Sequence, residues 1–78
     1  MTLDSLTRGQ RCEILNIAGP DALRQRLATL GVLRGQSIQL AAVSPWGNPR
    51  VYRLGRQQIC LRNEEAVYIT VTDQGNGR

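Results

Sequence analysis

The stretch Gly19–Val32, GPDALRQRLATLGV, decides how the chain is read, because it alone carries the period of a helix. Gly19-Pro20-Asp21 is a helix-start signal: proline is tolerated at the first helical position, and an acid there favours the positive end of the helix dipole. Leu23, Leu27 and Leu30 recur at i, i+4 and i+7, a single apolar stripe. Gly31 stands where helices end in a left-handed residue, and Val32 where the ending motif places its hydrophobic contact. Core burial is the expected fate of the three leucines.

Everything on either side of this helix reads as short strands. Upstream, Leu3 and Leu6 precede a turn at Thr7-Arg8-Gly9 and dock on the body of the domain, and Gln10–Ile17 is strand-like. Ile14 and Ile17 cannot share a face of a regular strand, so either both faces are partly covered or a bulge intervenes. Downstream, after a turn at Leu33-Arg34-Gly35, Ser37–Val43 alternates with Ile38, Leu40 and Ala42 inward. Ser44-Pro45-Trp46-Gly47-Asn48-Pro49 is a loop by its turn residues. Val51–Leu54 and Gln57–Arg62, joined at Gly55-Arg56, form a hairpin with Ile59 and Leu61 on one face. Asn63–Ala66 makes one helical turn with Glu64 and Glu65 solvated, and Val67, Ile69 and Val71 alternate with Tyr68, Thr70 and Thr72 in a last strand. Tyr52 and Tyr68 are expected at the surface.

The result is a mainly β chain with one to two short helices. About five strands, each too short to be stable alone, are expected to pack as a curled sheet or small barrel, with the helix inserted after the first strand and closing an open end. Residues 1–72 make one domain, and the Gly-rich polar tail 73–78 is expected to be disordered.

Composition removes several function classes. With 78 residues the core is thin, and a deep, water-excluding active site is hard to house. There is no histidine, so the commonest general base and transition-metal ligand is missing. Cys12 and Cys60 form no CxxC pair and have no second pair to complete a zinc site, and both are expected as small buried residues. No catalytic residue, metal ligand or cofactor site is assigned. The N-terminus has no apolar run of a secretory signal, and Gly35–Pro49 is too polar for a spanning helix, so the expected location is the cytoplasm, without membrane insertion. The ten basic residues are all arginine against six acids, a net charge of +4.

Four strings in this sequence go together: Leu3-xx-Leu6-xx-Gly9; Arg26-Leu27-xx-Leu30-Gly31-Val32-xx-Gly35-xx-Ile38; Pro45-xx-Asn48-Pro49; and Ile59-Cys60-Leu61-Arg62-xx-Glu65-Ala66-xx-Ile69-x-Val71. In combination they resemble the FeoA family of ferrous-iron transport accessory proteins, over Leu3 to Val71. The resemblance implies an SH3-like barrel with a helix inserted after the first strand. It also implies a cytosolic, non-enzymatic adaptor of FeoB, the membrane protein that carries ferrous iron inward and bears a cytosolic GTP-binding domain, with a third small Feo protein as a candidate further partner. It brings no iron ligands to this chain. The same barrel occurs as the C-terminal domain of iron-dependent repressors, behind DNA-binding and dimerisation regions; the present sequence is expected to be a stand-alone domain, which favours the transport partner.

Candidate partner-binding residues follow from type and position. Trp46 sits in a loop among prolines, where an exposed aromatic is a hot-spot type and a folded-back one extends the core. Arg24 and Arg26 face away from the leucine stripe, Arg34 lies in the turn beyond, and Leu33 beside it is a candidate apolar contact; the alternative is an ordinary solvated helix face. Two other functions compete with the adaptor. A nucleic-acid-binding barrel would suit the sequence pI near 10.0, but stacking aromatics are few and no nucleic acid is expected as partner. A stand-alone regulatory domain would act through self-association, as a monomer in equilibrium with a weak homo-oligomer.

Overall fold

The computed structural model describes residues 1–72; the tail whose disorder was expected lies outside the described residues. After a 3-10 turn at Leu3–Ser5 come β1 (Arg11–Ile17), α1 (Asp21–Thr29), β2 (Ser37–Val43), β3 (Arg50–Leu54), β4 (Gln57–Leu61), α2 (Asn63–Ala66) and β5 (Ile69–Val71). The strands form one antiparallel sheet in the order β4-β3-β2-β1-β5.

Helix α1 stops for the reasons its sequence gives. Leu30 is the C-cap, Gly31 has φ +90°, and the amides of Gly31 and Val32 donate to the carbonyls of Ala28 (3.0 Å) and Leu27 (2.9 Å). This is the paired-bond ending that needs a left-handed residue, and it turns Val32 fully into the core. Pro20 precedes the helix instead of starting it: its backbone is extended, and Asp21 is the first helical residue. Of the leucine stripe, Leu27 is fully buried, while Leu23 and Leu30 are only partly covered by the core.

Each strand gives side chains to one core: Cys12 and Ile14, Ile38 and Leu40, Tyr52 and Leu54, Ile59 and Leu61, Ile69 and Val71, joined by Leu3, Leu6, Leu27, Val32 and Ala66. All strands sharing one apolar interior is what a sheet wrapped on itself produces. β4 and β5 are its terminal strands, and a bridge between Thr2 and Thr70 lies along β5. The β3–β4 turn places Gly55 at φ +64° directly after Leu54, the residue a tight hairpin needs at its first central position.

Several expectations are corrected. The pairing of β1 with β5 shifts between Ile14 and Asn16, which settles the Ile14/Ile17 conflict as a bulge that exposes Leu15. A second shift between Leu40 and Ala42 leaves Ala41 and Ala42 both half-buried, so Ala42 is not an inward residue. Val67 ends the helical turn and is exposed, because the last strand begins only at Ile69. Cys12 is buried but Cys60 faces outward from β4.

Tyr52 is not a surface residue. It is fully buried, and its hydroxyl reaches the Leu3 carbonyl at 3.5 Å. In a core without phenylalanine this ring is the largest fully buried side chain. Burial pushes the phenol above its ordinary pKa, with the neighbouring Arg50 opposing. The folded state thus holds its proton more tightly than the unfolded one, and stability is lost as pH rises past the unfolded value near 10.

Leu27→Ala should lower the unfolding free energy by about 2–5 kcal/mol in urea titration, whereas Leu33→Ala, at a half-exposed site, should change it by less than about 0.5 kcal/mol.

Candidate functional site

The loop between β2 and β3 is built from a turn and then strapped down. Gly47 N–H donates to the Ser44 carbonyl at 2.8 Å, closing a four-residue turn with Pro45 and Trp46 at its centre. Serine first, proline second and glycine fourth are the residues such a turn favours. The Asn48 amide N–H donates to the Ser44 hydroxyl at 3.0 Å.

The Asn48 side chain then joins this loop to α2. Its carbonyl oxygen accepts the Asn63 N–H at 2.9 Å, an otherwise unpaired donor at the start of the helical turn, and its amide donates to Glu64 at 3.1 Å. Asn63 returns a bond to the Gly47 carbonyl at 3.2 Å. The hydrogen bond from Asn48 holds the Glu64 carboxyl below its ordinary pKa.

On its other side α2 is tied to α1. One Glu65 carboxylate oxygen accepts the Arg62 N–H at 2.9 Å, and the other pairs with the Arg26 guanidinium. Glu64 and Glu65, expected as an ordinary solvated turn, each carry a tie to a distant element. Their acidic character in the sequence gave no sign of it, since the partners lie 16 and 39 residues away.

Trp46 is 86% exposed at the tip of this strapped loop. It does not fold back over the core, because the turn that the loop's bonds fix holds it outward. Arg26 is brought to the same region through Glu65, and Arg24, exposed two residues and about half a turn earlier, pairs with Asp21 within the helix. These two arginines are therefore ion-paired, not a bare cationic patch. Leu33 is 47% exposed, with Arg34 beside it, in the α1–β2 turn. That turn is anchored to β1 by the Gly35 N–H on the Ile14 carbonyl at 2.8 Å. No hydrogen bond or ion pair among the described residues joins Leu33 and Arg34 to the Trp46 loop. Among the described residues no group of three Cys, Asp or Glu is placed to hold a metal ion, and no helix is long and apolar enough to cross a membrane.

Comparison with known proteins agrees with this architecture. The family model described as FeoA domain matches residues 1–73, and the chain belongs to the FeoA family. It is 30% identical over 71 residues to the Fe(2+) transport protein A/Fe(2+) transporter FeoB fusion protein of Porphyromonas gingivalis, which covers 91% of this chain and 8% of that protein. Among solved structures, FeoA of Chlorobium tepidum superposes with a TM-score of 0.89 at 31% identity, over 100% of this chain and 74% of that one. FeoA of Stenotrophomonas maltophilia, crystallised with zinc and described as a prokaryotic SH3 domain protein, gives 0.77 at 28% identity, over 92% and 89%. The fold is the expected mainly β, SH3-like one. IdeR of T. acidophilum, at 22% identity and a TM-score of 0.81 over 92% of this chain and 33% of that one, shares the fold alone.

Replacing Asn48 by alanine should raise the Glu64 pKa toward the ordinary carboxylate range, read by NMR titration. In the native chain the folded-state value is the lower one, so what the Asn48 bond adds is present above the unfolded pKa. It fades as pH falls through the depressed value.

Proposed function

We propose that this chain is a non-enzymatic accessory protein of ferrous iron uptake. It works in the cytoplasm by binding a FeoB transporter through the surface that carries Trp46, with the cytosolic GTP-binding region as the docking partner. The observation that carries the reading is an almost fully exposed tryptophan on a loop whose backbone is held by bonds to α2. Tryptophan is enriched among residues that dominate binding energy, and a fixed loop loses little conformational entropy when it docks.

Family membership and the fusion relative support the choice of partner: in the Porphyromonas gingivalis protein an iron transport protein A is joined to the transporter in one chain. The residue inventory supports binding over chemistry. The described residues offer no histidine and no metal-ligand cluster. Arg26 is the neighbouring contact of this reading, able to exchange Glu65 for an acid of the partner, and Arg24, Leu33 and Arg34 are candidate contacts further from the loop.

Trp46→Ala should weaken binding to the FeoB cytosolic region by at least about 2 kcal/mol, roughly 30-fold, while its unfolding free energy stays within about 0.5 kcal/mol of the parent. In cells, deleting the gene should lower ferrous iron uptake, and the parent chain should restore it where the Trp46→Ala chain does not. Uptake unchanged by deletion in ferrous medium contradicts the function; full rescue by Trp46→Ala contradicts the site.

A further inference from the structure

The outer face of the sheet carries a second feature that the Trp46 surface does not use. Register aligns Arg11 of β1 with Gln39 of β2, Gln39 with Arg53 of β3, and Arg53 with Gln58 of β4. This makes a straight polar row across four strands on the side away from the core. Arg8 in the turn before β1 and Arg56 in the β3–β4 turn flank it. Three shallow depressions run together along the row and share Arg53: one of about 250 Å³ is lined by Arg11, Ser37 and Gln39, a second by Arg56 and Gln58, and a third by Arg8 and Gln39. No carboxylate lines any of them.

The charges on this face are unanswered. Arg24 and Arg26 are ion-paired, whereas none of Arg8, Arg11, Arg53 and Arg56 has a side-chain hydrogen bond or ion pair. Glu13, one row on and opposite Ser37, is the sole acid in the described strands. Adjacent strands lie about 4.8 Å apart, so the backbones bearing Arg11 and Arg53 are about 10 Å apart, near the Debye length of about 10 Å at 0.1 M salt and a little beyond the roughly 8 Å at physiological salt. Such a cluster repels itself until an anion covers it, and guanidinium is the cation best shaped for phosphate oxygens.

We propose that this arginine face is a docking surface for an anionic phospholipid bilayer, and that it orients the domain against the membrane beside its partner. The proposal rests on the accessory-protein reading for its setting, a protein working next to a membrane transporter. A lipid surface fits because the face is broad, open and sheet-built, suited to a plane of headgroup phosphates rather than one small ligand. Nucleic acid fits less well: Tyr52 is buried, Tyr68 lies against Gly19 ahead of β5, outside the four strands of the row, and Trp46 lies at the opposite end of β3 from Gly55 and Arg56, so the row has no aromatic on which bases can stack. The same separation leaves Trp46 free to engage a protein while the arginines meet the bilayer. Each arginine near an anionic surface strengthens binding about five-fold. Four together remain weak, so recruitment becomes effective only when a second contact adds its effective concentration.

The test is sedimentation of the whole chain with vesicles of phosphatidylglycerol and phosphatidylcholine against vesicles of phosphatidylcholine alone, at low and physiological salt. The expected result is binding to the anionic vesicles only, falling with salt, and weakened roughly 25-fold in the Arg11→Gln/Arg53→Gln chain. Arg24→Gln/Arg34→Gln, which removes the same charge elsewhere, should lose less than about three-fold. These sites are exposed, and circular dichroism melts of both chains should match the parent. Equal losses in the two double variants would reduce the effect to net charge and overturn the proposal, as would binding to neutral vesicles. Weakened binding of Arg11→Gln/Arg53→Gln to the lipid-free FeoB cytosolic region would assign the face to protein, and RNA binding stronger than vesicle binding and lost in that variant would assign it to nucleic acid; either overturns it. Anionic-vesicle binding that persists in Trp46→Ala while FeoB binding is lost supports the lipid surface as separate from the protein one.

Discussion

Glu65 accepts the Arg62 N–H with one carboxylate oxygen and the Arg26 guanidinium with the other, and the next residue, Ala66, is fully buried. Through that carboxylate the short turn α2 is fastened to α1 on one side. Through Asn48, Asn63 and Glu64 it is fastened to the β2–β3 loop on the other. An exposed ion pair is worth little alone, about 0–1 kcal/mol, but here it belongs to a set of bonds that share four residues of backbone. The set fixes where Trp46 points, and the contact proposed for it depends on that direction more than on any single contact energy.

A chain of this size divides its residues with little to spare. Fifteen apolar side chains fill one interior, and α1 adds Leu27 and, through its glycine-dependent ending, Val32 to a core that has no phenylalanine. What remains is surface, and the surface is uneven: an aromatic loop braced by α2 at one end of β3, and unpaired arginines toward the other. That division leaves two separate surfaces, the Trp46 loop proposed for the transporter and the arginine face proposed for the bilayer.

Much of the fold was legible because it rests on local rules. The 3.6-residue leucine period, Gly31 and Val32 at the helix end, and Gly55 in the hairpin all act within a few residues of themselves, and they placed α1 and the β3–β4 turn correctly. Errors arose where a distant partner decides. The shift at Ala42 depends on how β2 pairs with β3. Tyr52 shares the inward face of β3 with Leu54, and the segment that covers its ring, with the Leu3 carbonyl at its hydroxyl, lies 49 residues away. The candidate site was half legible. Trp46 stands out by residue type and loop context, but the Asn48 and Glu65 ties join segments that only the fold brings together. The arginine row likewise appears only once strand register is known.

If the Trp46 loop, as α2 holds it, meets the transporter, the contact shows in an NMR titration of the isotopically labelled chain with the purified FeoB cytosolic region, with GTP analogue, with GDP and empty. Saturable shifts of the Trp46 indole and of the amides of Gly47, Asn48 and Asn63 are expected, with Arg11 and Arg53 unmoved in the absence of lipid. Saturable binding that leaves the Trp46 indole unshifted would contradict that contact.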